Sequence, residues 1–187
     1  MRKKGKKLLA VLLASAMAFS APAVYTNVPH VLAAETSAVS KAEQKQMKKL
    51  SNALINSIGY ELLYEMEAEE TKEFDFSKAS DRKAIGQFVI FNTETDADTT
   101  SKRVFGVKTK GLKIQLGDWG MAWPELRAIK IQPAKDGIYE ISAKVKWVDD
   151  EENKVTQIGT VTIQAEEKEG AYFGFVAKNL KITKAAK

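Results

Sequence analysis

A stripe of apolar residues runs through residues 41–58 at three- and four-residue spacing: Met47, Leu50, Leu54 and Ile58. This period is that of one face of an α-helix, so the pattern predicts an amphipathic helix over about 41–57 that packs its stripe on a core. Ser40 precedes the stripe and Glu43 follows three residues later. This spacing matches a capping box, which starts a helix at this point.

Three segments between residues 59 and 102 show weaker patterns. Gly59 is expected to end or bend the first helix, and "YELLYEMEAEETKE" (60–73) to continue as a second, acidic helical piece. In "SKASDRKAIGQFVIFNT" (77–93) a serine cap precedes a short apolar run that suits either a helix or a buried strand, and we favour a helix. "TETDADTTSK" (93–102) is typical of a polar loop.

The last third of the chain alternates between apolar and polar residues. In "IYEISAKVKWV" every second side chain from Tyr139 to Trp147 is apolar, which is typical of a strand with one wet face. "VTQIGTVTIQA" and "AYFGFVAKNLKI" follow as further strands after two polar turns, so the pattern predicts a three-strand antiparallel meander. The side chains expected in its core include Ile141, Val145, Val161 and Phe175.

The third strand of this meander changes phase along its length. Its apolar positions fall at 173, 175 and 177 and then resume at 180 and 182. Because side chains alternate with a period of two, one extra residue is needed to keep both halves on the same face. The sequence therefore predicts a β-bulge near Lys178 and Asn179.

Helices followed by bent antiparallel strands predict an α+β fold, with N-terminal helices packed on a curved sheet. In its helix-first order and closing meander the chain resembles small secreted, uncharacterised bacterial domains of cystatin-like or NTF2-like architecture. The resemblance implies a scaffold that hosts enzymes, binding modules and spacers. It does not imply protease inhibition, because "QFVIF" lacks the glycine of the cystatin glutamine-x-valine-x-glycine hairpin and "QIGTV" has a different spacing.

The start of the chain has the pattern of an export signal. "MRKKGKK" carries five positive charges, and the apolar stretch of twelve residues after it is shorter than the about 20 that span a bilayer. Cleavage after Ala23 or Ala33 fits the small-x-small rule, and we favour Ala33 because a polar, helix-leading end follows. The predicted parts are a signal peptide (1–33), a short tail (34–40) and a single α+β domain (41–187). The mature protein is expected to be secreted or cell-surface associated, without a membrane span.

Removal of the signal changes the charge of the protein. Five of the 29 basic residues lie in the first seven positions, so the chain from Ala34 onward carries 24 bases and 24 acids. A neutral protein gives no support for nucleic-acid binding, which needs a net basic face. Charge is uneven along the chain, since residues 61–98 hold eleven acids and four bases, and residues 99–148 hold ten bases and four acids.

Few catalytic residue types remain in the mature chain. The whole sequence has no cysteine, and its single histidine, His30, is removed by cleavage after Ala33. Serine–histidine–acid triads, cysteine nucleophiles, disulfides and typical zinc sites are therefore excluded. Glu94, Asp96 and Asp98 alternate as in a calcium loop, but the glycine and glutamate that an EF-hand requires are missing. We predict neither a metal nor a cofactor.

The candidate ligand site is "LGDWGMAWPEL", residues 116–126. Trp119 and Trp123 lie four residues apart beside Asp118 and Glu125, in a stretch whose glycines and proline indicate irregular backbone. Aromatic rings and carboxylates together suit a sugar ligand, and two carboxylates at the right separation perform glycoside hydrolysis. The commoner role of such tryptophans is to fill the open end of a sheet or helix layer, because each buries a large apolar area.

Three classes of function follow from these observations. The leading one is an exported, non-catalytic domain that binds an unknown protein or carbohydrate partner at or outside the cell surface. The second is a carboxylate- or tyrosine-type enzyme, or a carbohydrate-binding module, that uses the loop from Trp119 to Trp123. The third is a structural spacer of the cell envelope. Whether the concave face of the sheet is filled by side chains or open would help to separate these classes.

Overall fold

The computed structural model describes residues 38–86, 97–112 and 120–186. The first described element, α1, spans Lys41–Ala53 and begins with the predicted capping box. The hydroxyl of Ser40 accepts from the backbone N–H of Glu43 at 3.2 Å, and the Glu43 carboxylate accepts from the backbone N–H of Ser40 at 2.8 Å. These two bonds satisfy donors that a helix start leaves unpaired, which fixes where α1 begins.

The helical chain then breaks at Leu54 and continues as α2, Ile55–Tyr60, and a π-helical turn, Glu61–Glu65. The expectation that Gly59 ends or bends the helix is wrong, because Gly59 lies inside α2. Its role is close contact, since a Cβ there would lie 2.6 Å from the Cβ of Pro124. The predicted stripe is fully buried and extends by one turn, as Met47, Leu50, Leu54, Ile58 and Leu62.

The acidic segment 60–73 is helical only as far as Glu65. A strand, β1, spans Thr71–Asp75 in place of the second half of the expected helix. The ammonium group of Lys72 donates to the carboxylate of Glu61 and to the carbonyl oxygen of Glu65, each at 3.1 Å. These bonds connect the strand to the preceding helical turn and stabilise the change of direction between them.

Two short helices follow β1. The first, α3, spans Ala79–Gly86, as the preference for a helix at 77–93 predicted, and residues 87–93 of that segment lie outside the described residues. The second, α4, spans Ala97–Phe105, so the prediction of a polar loop up to residue 102 is wrong from Ala97 onward. Its buried face explains the error, because half of it is polar: Thr100, Ser101, Val104 and Phe105.

Four long strands complete the described fold: β2 (Ala122–Pro133), β3 (Ile138–Asp149), β4 (Lys154–Glu167) and β5 (Phe175–Lys184). All neighbouring strands pair antiparallel in the order β1-β5-β4-β3-β2. The predicted three-strand meander is confirmed as β3, β4 and β5. It lies between two strands, β1 and β2, that the sequence pattern did not predict.

Bulges set the register of the sheet, and the one predicted on the third strand is confirmed. Gln164 pairs with Asn179 and Ala165 with Ala177, which leaves Lys178 as the extra residue on β5. A second bulge on β2 lies between Arg127 and Lys130, where Ala128 has a φ of 52°. Each bulge restores the inward direction of the apolar side chains that follow it.

The described helices pack on one face of the sheet, which gives the α+β architecture expected. Buried side chains of α1, α2, α3 and α4 share one hydrophobic cluster with residues of β2, β3, β4 and β5, and the partly buried Phe74 of β1 packs against it. The predicted core residues Ile141, Val145, Val161 and Phe175 are all buried in it. The described residues belong to one compact unit, Thr36–Lys187, and none of their helices is long and apolar enough to span a membrane.

Candidate functional site

Two of the four residues of the candidate site, Trp123 and Glu125, lie on β2. The prediction of irregular backbone is therefore wrong from Ala122 onward, where the chain is an extended strand. Pro124 and Leu126 alternate with them and are buried, with Pro124 against Gly59 of α2. Because neighbouring side chains in a strand point to opposite faces, Trp123 and Glu125 point away from the helices. Asp118 and Trp119 lie outside the described residues.

Trp123 begins an apolar row across the helix-free face of the sheet. It pairs with Val148 on β3, which in turn pairs with Val155 on β4, so the three side chains share one face. We call these three residues the tryptophan row. Trp123 is half-buried, Val148 is only 9% exposed although it lies on the side opposite the helices, and Val155 is 57% exposed. The centre of the row, Val148, is therefore buried, and one end, Val155, is exposed to solvent.

Met121 places a further apolar side chain at the same end of the sheet. It precedes β2, is 57% exposed, and its carbonyl oxygen accepts from the backbone N–H of Asp150 at 3.0 Å. This bond holds the residue beside the turn between β3 and β4. Large exposed apolar side chains in neighbouring positions are a feature of interaction surfaces more than of ordinary solvated ones.

Charged and polar side chains occupy the next row of the same face. Glu125 pairs with Lys146 of β3, which pairs with Gln157 of β4. The carboxylate of Glu125 also accepts from the guanidinium of Arg127 at 2.7 Å, and about a third of its side chain is exposed. The guanidinium occupies one oxygen of this carboxylate and fixes its position beside the row. Glu125 and Arg127 thus give the tryptophan row a charged border.

A polar groove of about 420 Å³ lies elsewhere on the sheet, around β1, β4 and β5. Its side chains bind one another: Asn179 donates to Gln164 at 2.7 Å, and Lys181 forms an ion pair with Glu73 at 2.7 Å. Hydrogen bonds from Ser77, and then the neighbouring charge of Lys78, hold the pKa of Asp75 below its ordinary value. The carboxylate of Asp75 is therefore charged at neutral pH.

Side chains fill the helix-facing side of the sheet. The five apolar residues of the helical stripe are fully buried against β-strand side chains such as Ile141 and Val161. In the described ranges, no three His, Cys, Asp or Glu side chains come together in a way that could hold a metal ion. The helix-facing side of the sheet is thus a packed core in this part of the chain.

Sequence reasoning found Trp123 and Glu125 but missed their neighbours. The signal for Val148 was present, since "WV" at the end of the first meander strand puts two apolar residues in succession where the rest of the strand alternates. Such a pair indicates that both faces of the strand are covered at that point. Val155 gave no comparable signal, because its position opposite Val148 depends on the register between β3 and β4.

Comparison of the chain with protein-family models, with curated protein sequences and with solved structures found no match in any of the three.

Proposed function

We propose that this protein is an exported, non-catalytic domain that binds a partner at or outside the cell surface through the helix-free face of its sheet. The observation that carries the proposal is the tryptophan row. Trp123, Val148 and Val155 lie side by side on neighbouring strands, and Val155 at the end of the row is 57% exposed. A half-buried tryptophan beside exposed aliphatic side chains is the composition found at the centre of many interfaces.

The border of the row supports binding more than catalysis. Glu125 is held by Arg127 at 2.7 Å, and Lys146 pairs with Glu125 across the strands. Charged side chains around an apolar centre favour a defined orientation of the partner and add little to the affinity itself.

Export is the second part of the proposal and rests on the first 33 residues. The basic start, the apolar stretch and the "VLA" site that ends at Ala33 favour a mature chain beginning at Ala34. N-terminal sequencing of protein from the culture medium tests this. Secreted material that still begins at Met1 would contradict it.

A cystatin-like or NTF2-like architecture is the finer assignment that we propose for the fold. It is supported by helices that precede the long strands and by the position of β1 beside β5, next to the closing meander. In such an architecture the layer of helices covers one face of the sheet. The uncovered face is then the natural place for a binding surface.

The test uses mature protein labelled with a fluorophore and intact cells of the producing strain. We expect Val155→Ser to weaken binding by at least about fivefold and Trp123→Ala by at least about tenfold, the scale of contacts at the centre of an interface. Val107→Ser is the matched control, because Val107 is another exposed valine, at 44%, and lies after α4. Thermal unfolding of each variant checks that its fold is intact.

The outcomes separate the three classes of function. Loss of binding in the two row variants but not in the control supports the proposal. Binding that disappears when cell-surface polysaccharide is oxidised with periodate, but survives protease treatment, would favour a carbohydrate-binding module with Trp123 as its stacking ring. Equal binding by all variants would refute a role for the row, and no binding at all would favour a spacer domain.

A further inference from the structure

A second pocket, with a volume of about 330 Å³, lies where the end of α4 meets the connection between β4 and β5. Its charged lining consists of Lys102 and Arg103 from α4, Lys108 after it, and Lys168 and Glu169 after β4. It shares no residue with the tryptophan row. The pocket thus brings together four positive charges and one negative charge from segments that lie far apart in the sequence.

Several basic side chains of the sheet are paired with a carboxylate. Lys72, Lys178 and Lys181 each form an ion pair within 3.1 Å of a carboxylate. In contrast, no ion pair is found for Lys102, Arg103, Lys108 or Lys168 among the residues that the structure describes. Like charges in one pocket repel one another, so their convergence needs an explanation other than mutual stabilisation.

The helix end explains only two of the four charges. Lys102 and Arg103 lie in the last turn of α4, where cations interact favourably with the partial negative charge of the helix C-terminus. Lys108 lies beyond that turn, and Lys168 is brought to it by the fold. Their presence at the same pocket is what an anionic ligand would require.

Arg103 is held in a geometry suited to binding. Its guanidinium carbon lies 5.0 Å from the centroid of the Tyr172 ring, and its carbonyl oxygen accepts from the backbone N–H of Tyr172 at 3.3 Å. Stacking of a guanidinium on a ring restricts its plane and leaves the N–H donors at its edge available. Fewer side-chain conformations are then lost when a ligand binds.

We propose that this pocket binds a phosphorylated ligand that carries at least two negative charges. Arginine donates two parallel bonds to phosphate oxygens, while lysines contribute point charges, and the pocket supplies both. A single carboxylate would balance only one of the net three positive charges of this lining. The volume is about ten times the space of one water molecule in the liquid, which accommodates a phosphate group with part of the molecule attached to it.

Pyrophosphate is the probe, titrated into the mature protein by calorimetry at physiological salt, where weak surface attraction is screened. We expect saturable binding at one site. Lys108→Gln and Lys168→Gln should each lower the affinity by about tenfold, the scale of one lost bond to a charged group. Lys45→Gln is the matched control, because Lys45 is an exposed lysine on α1, and it should leave the affinity unchanged.

Three results would overturn the proposal. The first is the absence of saturable binding in the millimolar range, and the second is an equal loss of affinity in the Lys45→Gln control, which would indicate diffuse attraction. The third is binding to vesicles of equal parts phosphatidylglycerol and phosphatidylcholine without binding of pyrophosphate, which would assign the charges to a lipid surface. The outcome is independent of the tryptophan row, because Trp123→Ala should bind pyrophosphate as the parent does.

Discussion

Gly59 of α2 lies so close to Pro124 of β2 that a Cβ at position 59 would be 2.6 Å from the Cβ and 2.7 Å from the Cγ of the proline. This contact joins the helical layer to the strand that carries Trp123. A proline ring has little freedom to move aside. The absence of a side chain at position 59 therefore sets how closely the helix approaches the sheet.

Gly59→Ala should consequently destabilise the protein. In an open helix the substitution would stabilise by about 1 kcal/mol, but overpacking costs about 1–3 kcal/mol, and the short contact to a rigid ring makes the cost the larger effect. Urea unfolding measures the difference. Asn52→Ala, at an exposed position of α1, is the control and should be neutral or slightly stabilising. A Gly59→Ala protein more stable than the parent would contradict the contact.

The sequence pattern predicted some strands of the sheet but not β2, the strand that carries Pro124. The meander could be predicted because its strands alternate, and even the bulge at Lys178 left a visible change of phase. β2 could not, because the bulge at Ala128 gives its apolar residues the mixed spacing 126, 129 and 131. The arrangement of the candidate site could not be predicted for the same reason, because Trp123 and Glu125 share a face only if the segment is a strand.

Glu43 gives the protein a predictable response to acid. Hydrogen bonds from Ser40, followed by one from the hydroxyl of Tyr139 at 3.2 Å, hold the pKa of Glu43 below its ordinary value of 4.5. A carboxylate with a lowered pKa in the folded state stabilises the fold above pH 4.5, and this contribution is lost as the pH falls through the folded pKa. Stability should therefore decline in acid.

Glu43→Gln should remove part of this decline. Its free energy of unfolding should be below that of the parent at neutral pH, and the difference should shrink as the solution is acidified, because the parent then loses the same interaction. Urea unfolding at a series of pH values measures it. Glu152→Gln, on the exposed turn after β3, is the control, and a pH dependence changed equally by both variants would contradict the role of Glu43.

The two faces of the sheet should respond differently to a charge. Val161 is buried in the core on β4, and Lys144 is exposed on β3. Val161→Asp should unfold the domain, because a buried charge without a partner costs several kcal/mol against a total stability of about 5–15 kcal/mol. Lys144→Asp should be tolerated. Circular dichroism and thermal unfolding distinguish them, and equal effects would show that the faces are assigned wrongly.

Arg82 of α3 is a buried residue, only 6% exposed. Its guanidinium connects this helix to two other parts of the fold. Its Nη1 donates to the carbonyl oxygens of Phe76 at 2.7 Å and Ser77 at 2.8 Å, and its Nε donates to the hydroxyl of Thr109 at 2.6 Å. The hydroxyl oxygen of Thr109 lies 2.8 Å from that of Ser101 on α4. The three bonds thus join the end of β1, α3 and the segment after α4.

Arg82→Lys should cost about 2–4 kcal/mol, although it keeps the charge. An ammonium group cannot donate in the fixed fork of a guanidinium, so at least one buried acceptor loses its partner, at about 1–3 kcal/mol for each group left unpaired. Arg127→Lys is the control, because Arg127 is exposed and its ion pair with Glu125 contributes at most about 1 kcal/mol.

In a double-mutant cycle with Thr109→Val, the double variant should lose less stability than the sum of the two single losses, because both substitutions break the same Nε–hydroxyl bond. Strict additivity would mean that Arg82 stabilises the fold without Thr109.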